Sequence, residues 1–523
     1  MTMDTQRLKT RTLAALPTAL VGSFAGIGAV AGSYAAAGFT PSFVAAPVSG
    51  FFARQLPDVV IRYAITVLGS LGQQLNLLSA IAVVVGFVAV LAATGIALGR
   101  EVNNRAVPAV LTGVGTWAVA AVLTGEVLLA LGAAAPAAGI VALAAVIRSV
   151  ELGKEHGTLD GRREVVGAGL SVFGIGAASY VLGRQRTPGK GAVGSSPDLG
   201  DVGTGSTNST SNTTQRQSLL ERGRARSFDF PDSNERPPMD GLVSDVESGY
   251  FYQVDINAVD PTVDESSWSL DVTGAVENEV SLGYEELKSM PTEDRFETLR
   301  CVGEKLNGHK MDTALWTGVP IMDIVERASP QSGCGCVMLR AEDDYFEEFP
   351  IAAMEDGLLA YGMNDRVLPR AHGYPVRALV PGHWGEISVK WIDEIEILER
   401  EADGYWEQRG WHGTGPVNTV AKIHHTSQQD GRVTLGGHAY AGTRGIQTVE
   451  VSTDGGSTWT EAELTEPLEG MDVWRQWRYQ YDHPGSSHEV VARATDGTGA
   501  LQPKAESKPF PSGPTGWVSK TIQ

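Results

Sequence analysis

Four stretches near the amino terminus, about 13–37, 77–98, 107–125 and 127–148, are apolar enough and long enough to cross a bilayer, which takes roughly 20 residues of helix. A fifth runs over about 165–183. Within lipid every backbone polar group needs an internal partner, so a chain with such stretches is predicted to open on an α-helical membrane region of about five spans. Residues 41–76 are apolar but broken by Pro41, Pro47, Arg54, Pro57, Asp58 and Arg62, which predicts a re-entrant or interfacial segment. The membrane anchor is drawn over 1–184.

Lysine and arginine gather on the cytoplasmic side of spans. Arg7, Lys9 and Arg11 precede the first span, Arg100 and Arg105 follow the second, and Arg148, Lys154, Arg162 and Arg163 follow the fourth. With the amino terminus inside and five spans, the rest of the chain lies on the extracytoplasmic side, although Arg184, Arg186 and Lys190 oppose that count. Residues 185–234 read as a flexible linker: Pro188 to Gln217 is rich in Gly, Ser, Thr and Asn. This stretch carries Asn208-Ser-Thr and Asn212-Thr-Thr, both N-glycosylation sequons. Arg162-Arg163 before an apolar stretch reads either as an internal twin-arginine export signal or as two ordinary inside arginines.

Beyond the linker the charge changes sign. Residues 1–234 hold 18 Lys and Arg against 13 Asp and Glu, whereas residues 235–523 hold 23 against 48. A surface this acidic excludes a phosphate backbone as partner, because nucleic-acid binding needs basic surface. The 3 cysteines, Cys301, Cys334 and Cys336, form no spaced C-x-x-C pair and exclude a disulfide scaffold or an iron–sulfur set. Cys334-Gly-Cys336 reads as structural. Among the 10 histidines only His156 precedes residue 300, and none lies in a span. Axial ligands for a b-type haem are therefore missing from the spans. The spans read as an anchor, and electrons as passing to a separate carrier.

Trp268-Ser-Leu-Asp-Val-Thr-Gly alternates as a half-buried strand, and Gly283-Tyr-Glu-Glu-Leu reads as a short helix. From about 415 onward short strands recur between glycine turns such as Asp454-Gly-Gly, which predicts a β-sandwich. Cys301 lies in Glu297-Thr-Leu-Arg-Cys-Val-Gly, a strand entering a glycine turn. Taken by itself it is a core filler, a nucleophile or a metal ligand. Further on, His372, Arg377, Ser388 and Lys390 stand among Gly373, Gly382 and Gly385. Such a set around freed backbone amides suits an anion, most simply a phosphate.

The runs Leu358-Leu-Ala-Tyr-Gly-Met-Asn, His372-Gly-Tyr-Pro-Val-Arg377, Pro381-Gly382 and Ser388-Val-Lys-Trp391, with Cys301 and Ala314-Leu-Trp-Thr-Gly-Val-Pro before them, resemble the molybdopterin-binding domain of sulfite oxidases. Gly437-His-Ala-Tyr, Val449-Glu-Val-Ser-Thr-Asp-Gly-Gly-Ser-Thr-Trp, Trp474-Arg475-Gln-Trp477 and Ala494-Thr-Asp-Gly resemble the immunoglobulin-like dimerisation domain of that family. The likeness covers about 240–523. It implies an α+β molybdopterin domain over 235–414 and an immunoglobulin-like β-sandwich over 415–523 that pairs two chains. It also implies that Cys301 is the protein ligand to molybdenum, with the molybdenum–molybdopterin cofactor held at its phosphate by His372, Arg377, Ser388, Val389 and Lys390. Arg475 matches the arginine that the tail domain contributes to the substrate pocket.

The chain departs from the family's pattern around the pocket. Animal and plant sulfite oxidases line it with several arginines and a tyrosine. The arginine pair after the cysteine is replaced here by Glu304-Lys305-Leu306, the early arginine by Gln253, and the tyrosine by Trp411. The resemblance with these departures implies a membrane-anchored oxidoreductase that transfers an oxygen atom to or from a small sulfur- or nitrogen-containing molecule of low charge. The alternatives are a sulfite oxidase proper, with Lys305 or His412 restoring the charge, and a cofactor-free cell-surface binding protein.

Overall fold

The computed structural model describes residues 2–152, 160–186, 199, 209–230, 242–244, 251–331 and 333–523. Its contacts divide into two units, one of residues 1–189 and 255–262, the other of 190–254 and 263–523.

In the first unit each apolar stretch becomes a helix. These are α1 (Thr2–Ala37), α2 (Ala46–Gln55), α3 (Asp58–Tyr63), α4 (Ser70–Glu101), α5 (Val107–Thr124), α6 (Leu131–Leu152) and α7 (Asp160–Arg186). The segment expected to be re-entrant is thus short helices leading into α4, with Pro57 capping the start of α3. Small residues let the helices touch: a Cβ on Gly26 would lie 2.5 Å from the Val85 carbonyl oxygen, and one on Gly32 would lie 2.1 Å from that of Gly132. Large apolar side chains such as Leu78, Val90 and Val122 face outward.

Three helices, Pro17–Ala37, Leu71–Glu101 and Val107–Thr124, are long and apolar enough among the described residues to cross a membrane. That corrects the expectation of about five. The apolar helix Leu131–Ile147 is shorter, and α7 opens on a charged turn containing Asp160, Arg162, Arg163 and Glu164. His156 and Asn208 lie outside the described residues.

The second unit corrects the linker expectation as well. Residues Ser209–Ala225 form a helix, α8. Buried Arg216 pairs with Asp365 at 2.6 Å, and Gly223 packs within van der Waals reach of Phe296, Val243 and Leu468. A polar composition with two leucines and several arginines can dock as a helix once its few apolar and charged groups find partners. Asn212 therefore falls in a helix rather than in an open loop.

Residues 263–406 of this unit are built on two sheets. The first contains β1 (Ser269–Gly274), β2 (Val280–Gly283), β5 (Cys336–Ala341), β6 (Phe346–Pro350) and β10 (Ile392–Ile397), in the order β2-β1-β10-β5-β6, with only the β1–β10 pair parallel. Helix α9 (Tyr284–Ser289) follows β2, where the sequence placed a short helix. The second sheet contains β3 (Glu293–Arg300), β4 (Met311–Pro320), β7 (Leu358–Met363), β8 (Arg366–Val367) and β9 (Arg377–Leu379), ordered β3-β4-β7-β8 with β9 on β7. Leu270, Val272, Leu339, Phe349, Leu359, Ile392 and Ile395 form a core with at most traces of exposure. Cys334 and Cys336 are joined as a disulfide at the start of β5, away from any scaffold role.

The tail forms two antiparallel sheets. One holds β11 (Val420–Ala421), β12 (His425–Gln429), β13 (Arg432–Tyr440), β16 (Glu463–Leu464) and β17 (Arg475–Asp482). The other holds β14 (Ile446–Ser452), β15 (Thr460–Glu461), β18 (His488–Asp496) and β19 (Val518–Ile522). The tail grips β3 directly. Thr298 N–H donates to the Asp472 carbonyl at 2.8 Å, Trp474 N–H donates to Thr298 Oγ1 at 2.9 Å, and the Tyr440 hydroxyl reaches Asp472 Oδ1 at 2.6 Å.

Candidate active site

Cys301 stands where β3 ends. Its amide donates to the Lys310 carbonyl at 3.0 Å, so residues 301–310 return as a closed loop between β3 and β4. Glu304 organises that loop. Its Oε1 accepts from Arg300 Nε at 2.9 Å and from Lys422 Nζ at 2.5 Å, and its Oε2 accepts from the Lys310 amide at 3.0 Å. The carboxylate that appeared to replace pocket charge is therefore buried and neutralised. Lys422 belongs to the tail, and burial pulls its pKa down to about 8 against the opposing pull of Glu304. Arg300 is wholly buried; its Nη1 donates to the Asn418 carbonyl at 2.7 Å, its guanidinium covers the Trp384 ring, and its Nη2 has no hydrogen-bond partner among the described residues.

The thiol of Cys301 is free and half-buried. Burial pushes its pKa up, while Lys310 is the main influence in the other direction. Tyr252 faces the same space. Its amide donates to Asp312 Oδ2 at 2.8 Å, and its hydroxyl lies 2.7 Å from where a Gly385 Cβ would stand. Burial and then the negative potential of Cys301 drive the phenol well above its ordinary pKa. Neither Lys310 nor Tyr252 was singled out from the sequence. Tyr252 is part of the Tyr250-Phe-Tyr-Gln run that was read only for Gln253, which is exposed. Lys310 comes near only because the loop closes.

The residues that the sequence suggests for an anion lie together in the structure. His372, Arg377, Ser388 and Val389 are buried and Lys390 is half-buried. Arg377 donates from Nη1 to the His372 carbonyl at 3.2 Å and from Nη2 to the Ser388 carbonyl at 2.9 Å. Lys390 Nζ donates to the Ala371 carbonyl at 3.1 Å. Ser388 Oγ accepts from the Val380 amide, and the Val389 carbonyl accepts from the Ala378 amide. His372 is held well below its ordinary pKa by burial and then by Lys390 and Arg377, so this corner carries a positive potential. Gly373 has φ +112°, and a Cβ there would meet Arg377 Cβ at 2.9 Å and Lys390 Cα at 3.1 Å. Glycine is what lets the backbone turn this close.

The other two expected residues are engaged elsewhere. Arg475 donates from Nε and Nη2 to the Thr465 carbonyl, at 2.9 and 2.5 Å, and from Nη1 to the Ile446 carbonyl at 3.1 Å. Its guanidinium is thus turned into the tail. Trp411 is buried with its ring edge-on to Trp406 and Phe510. Lys305 and His412, considered as replacements for the lost charge, are exposed.

Residues 257–406 match the oxidoreductase molybdopterin binding domain, and residues 416–509 match the Mo-co oxidoreductase dimerisation domain. The chain is 28% identical to a sulfite oxidase of Arabidopsis thaliana, over 52% of this chain and 86% of that protein. It is 31% identical to the uncharacterized oxidoreductase YuiH of Bacillus subtilis, over 29% of this chain and 76% of that protein. The chain belongs to the sulfite oxidase family. It is a sulfite-oxidase-like molybdopterin enzyme, and its cofactor is molybdenum–molybdopterin. With the mitochondrial sulfite oxidase of Mus musculus it shares 29% identity and spans about half of that protein, 54%.

The residues fit that cofactor. A half-buried thiol is a soft donor suited to molybdenum, and the positive corner around Gly373 suits a phosphate. The buried Arg300 Nη2, next in the chain to Cys301, adds a donor without a partner among the described residues.

Proposed function

We propose that this chain is a membrane-anchored molybdenum oxidoreductase that moves an oxygen atom between water and a small sulfur- or nitrogen-containing molecule, exchanging electrons with a separate carrier. The observation that carries the reading is the combination of a free Cys301 thiol at the end of β3 with the cationic corner of Arg377 and Lys390 around a neutral His372. In this reading Cys301 holds the metal, and His372, Arg377, Ser388, Val389 and Lys390 hold the pterin phosphate. When bound, the cofactor supplies two-electron oxygen-atom chemistry.

The chain's own groups do the rest. Lys310 places positive charge toward Cys301 and an incoming anion or dipole. Tyr252, its pKa raised still further above that of an ordinary phenol, keeps its proton at neutral pH and can donate to an oxygen in the pocket. Trp384 and Trp316, both buried, back the guanidinium groups of Arg300 and Arg377 and exclude water behind them. Arg475 and Trp411 remain candidates for the pocket, Arg475 on condition that it leaves the Thr465 carbonyl.

The tail, with its two antiparallel sheets, is read as immunoglobulin-like and as the face through which two copies pair; the match to a dimerisation domain supports this. Domains are assigned as 1–184, 185–234, 235–414 and 415–523, with the catalytic part on the extracytoplasmic side. A membrane-impermeant label that reaches the catalytic part in intact cells supports the sidedness, and labelling only after lysis refutes it. Metal and pterin analysis of protein from a competent host, followed by assay against sulfite, sulfoxides and N-oxides, tests the function. Sulfite oxidase proper is the second reading, favoured by the relatives' names and by Lys310 beside Cys301.

A further inference from the structure

Of the 3 cysteines, the proposed function uses Cys301 alone. The other two close a ring. Cys334 and Cys336 are bridged across a single residue, Gly335, where β5 begins. Two residues of extended strand span about 6.8 Å, the long limit for a disulfide. Gly335, with φ +66°, turns the chain and draws the two Cα atoms to 5.3 Å. A Cβ on Gly335 would meet no atom of the described residues within 4 Å. Glycine thus serves the left-handed turn, and the space beside the bridge is open.

Stability does not account for this bridge. A disulfide stabilises chiefly by restricting the unfolded chain, and the gain grows with the length of the loop it closes. A loop with one residue between its cysteines restricts the chain least. The backbone already fixes the same place: Cys336 pairs with Pro350 in the sheet, the Ile351 amide donates to the Gly335 carbonyl at 2.8 Å, and the Leu398 amide donates to the Cys336 carbonyl at 3.1 Å.

What the position offers is access. Cys334 is half-buried between exposed Gly333 and Gly335, whereas Cys336 is buried. A thiolate arriving from solvent therefore meets Cys334 Sγ, with no side chain on either neighbour in its way. That sulfur lies 3.2 Å from the Leu398 carbonyl oxygen. In the bridge it has no proton to give; in the dithiol its S–H donates to this oxygen. The reduced form has a place in the same fold.

We propose that Cys334–Cys336 is a thiol–disulfide exchange site that takes two electrons from a dithiol, separately from the molybdenum pocket. One thiolate of the dithiol attacks Cys334 Sγ, the bond to Cys336 breaks, and Cys336 leaves with the electron pair and takes a proton. The second thiolate attacks the dithiol's own sulfur in the mixed disulfide, which closes the partner's disulfide and releases Cys334 to take the second proton. The partner loses two electrons and two protons, and the two cysteines gain them. The exchange is reversible, so a disulfide partner restores the bridge.

The inference does not depend on the proposed function, because the bridge is read with or without molybdenum. Purified full-length protein in detergent is treated with dithiothreitol, its thiols are trapped with N-ethylmaleimide, and the peptide carrying residues 334 and 336 is read by mass spectrometry. The same reaction in urea gives the rate for the unfolded chain. Reduction in the folded protein is expected within about tenfold of that rate, as an accessible bridge requires, with circular dichroism unchanged and with the bridge re-formed by glutathione disulfide. Slower reduction than this, or loss of the fold on reduction, shows a structural bridge and overturns the site. Cys336→Ser leaves the accessible thiol and Cys334→Ser the buried one. Glutathione disulfide is expected to modify the first about tenfold or more faster than the second, and equal rates overturn the attack at Cys334.

Discussion

Lys422 Nζ lies 2.5 Å from Glu304 Oε1 with both side chains buried, which locks a tail residue to the loop that begins at Cys301. Since Arg300 and the Lys310 amide bind the same carboxylate, the tail helps to set the geometry of the Cys301 loop. Removing one partner of a buried pair leaves an uncompensated charge and costs about 3–5 kcal/mol. Glu304→Gln, which leaves buried Arg300 and Lys422 without their shared carboxylate, is expected to fall in that range by denaturant unfolding, Lys422→Met, which leaves Glu304 paired with Arg300, is expected to cost less, and adding Lys422→Met to Glu304→Gln is expected to recover part of the loss. An additive double variant would contradict the coupling.

Deletion of 415–523 is expected to abolish activity as well as pairing of two copies. The tail contributes Lys422, Asp472 and Trp474 to the support of β3 and the Cys301 loop. Sedimentation and an activity assay check this, and a truncated protein that remains an active dimer would refute it.

Cys301→Ser is expected to abolish turnover while leaving the fold and the pterin largely in place. A hydroxyl is a harder and far less acidic donor than a thiol. Arg377→Ala should instead lower cofactor content, because Arg377 both spans the His372 and Ser388 carbonyls and supplies charge to the phosphate corner. Metal analysis beside pterin fluorescence separates the two outcomes.

The stability of wild type relative to Glu386→Gln is expected to fall as pH rises from about 4.5 to about 8. The folded pKa of Glu386 is raised to about 8 from 4.5, chiefly by burial. Over that window the folded state binds more protons than the unfolded state, so this group's contribution is complete below the lower value and is lost through the upper one. Thermal unfolding at several pH values reads the difference directly. A constant difference would show that Glu386 is not a buried acid.

The helices of the first unit, strand β1 and the turn at Gly373 were legible because they rest on local signals. Hydropathy marks the helices, period-two alternation marks β1, and glycines mark the turn at Gly373. The conversion of the expected linker into α8 was not legible, because it depends on Asp365 and Val243 being waiting to receive Arg216 and Gly223. The roles of Glu304, Lys310 and Tyr252 were hidden for the same reason: each is set by a partner distant in sequence or by loop closure. Substitution at a family position showed that charge had changed. It could not show that Glu304 would be neutralised by Lys422, 118 residues away.

That neutralisation bears on the substrate. The positions where the resemblance leads one to expect pocket arginines hold exposed Gln253 and the run Glu304-Lys305-Leu306, of which Glu304 is buried and Lys305 exposed, and Arg475 is bonded to the Thr465 and Ile446 carbonyls. Positive charge is not absent, because Lys310 acts on Cys301 and Arg300 retains one nitrogen without a partner among the described residues. Yet Arg300 is already held by Glu304 and the Asn418 carbonyl, which leaves Lys310 as the main cation for an incoming anion. One point charge attracts a dianion less specifically than several bidentate guanidinium groups do. A neutral sulfoxide, whose oxygen can accept from the Tyr252 hydroxyl, is therefore expected to show a lower Michaelis constant than sulfite, with sulfite turnover strongly reduced by salt. Lys310→Ala should raise the constant for sulfite more than that for the sulfoxide. Efficient, salt-insensitive sulfite oxidation that collapses in Arg475→Ala would show that Arg475 leaves its carbonyl partners in the working enzyme, and would make the chain a sulfite oxidase proper.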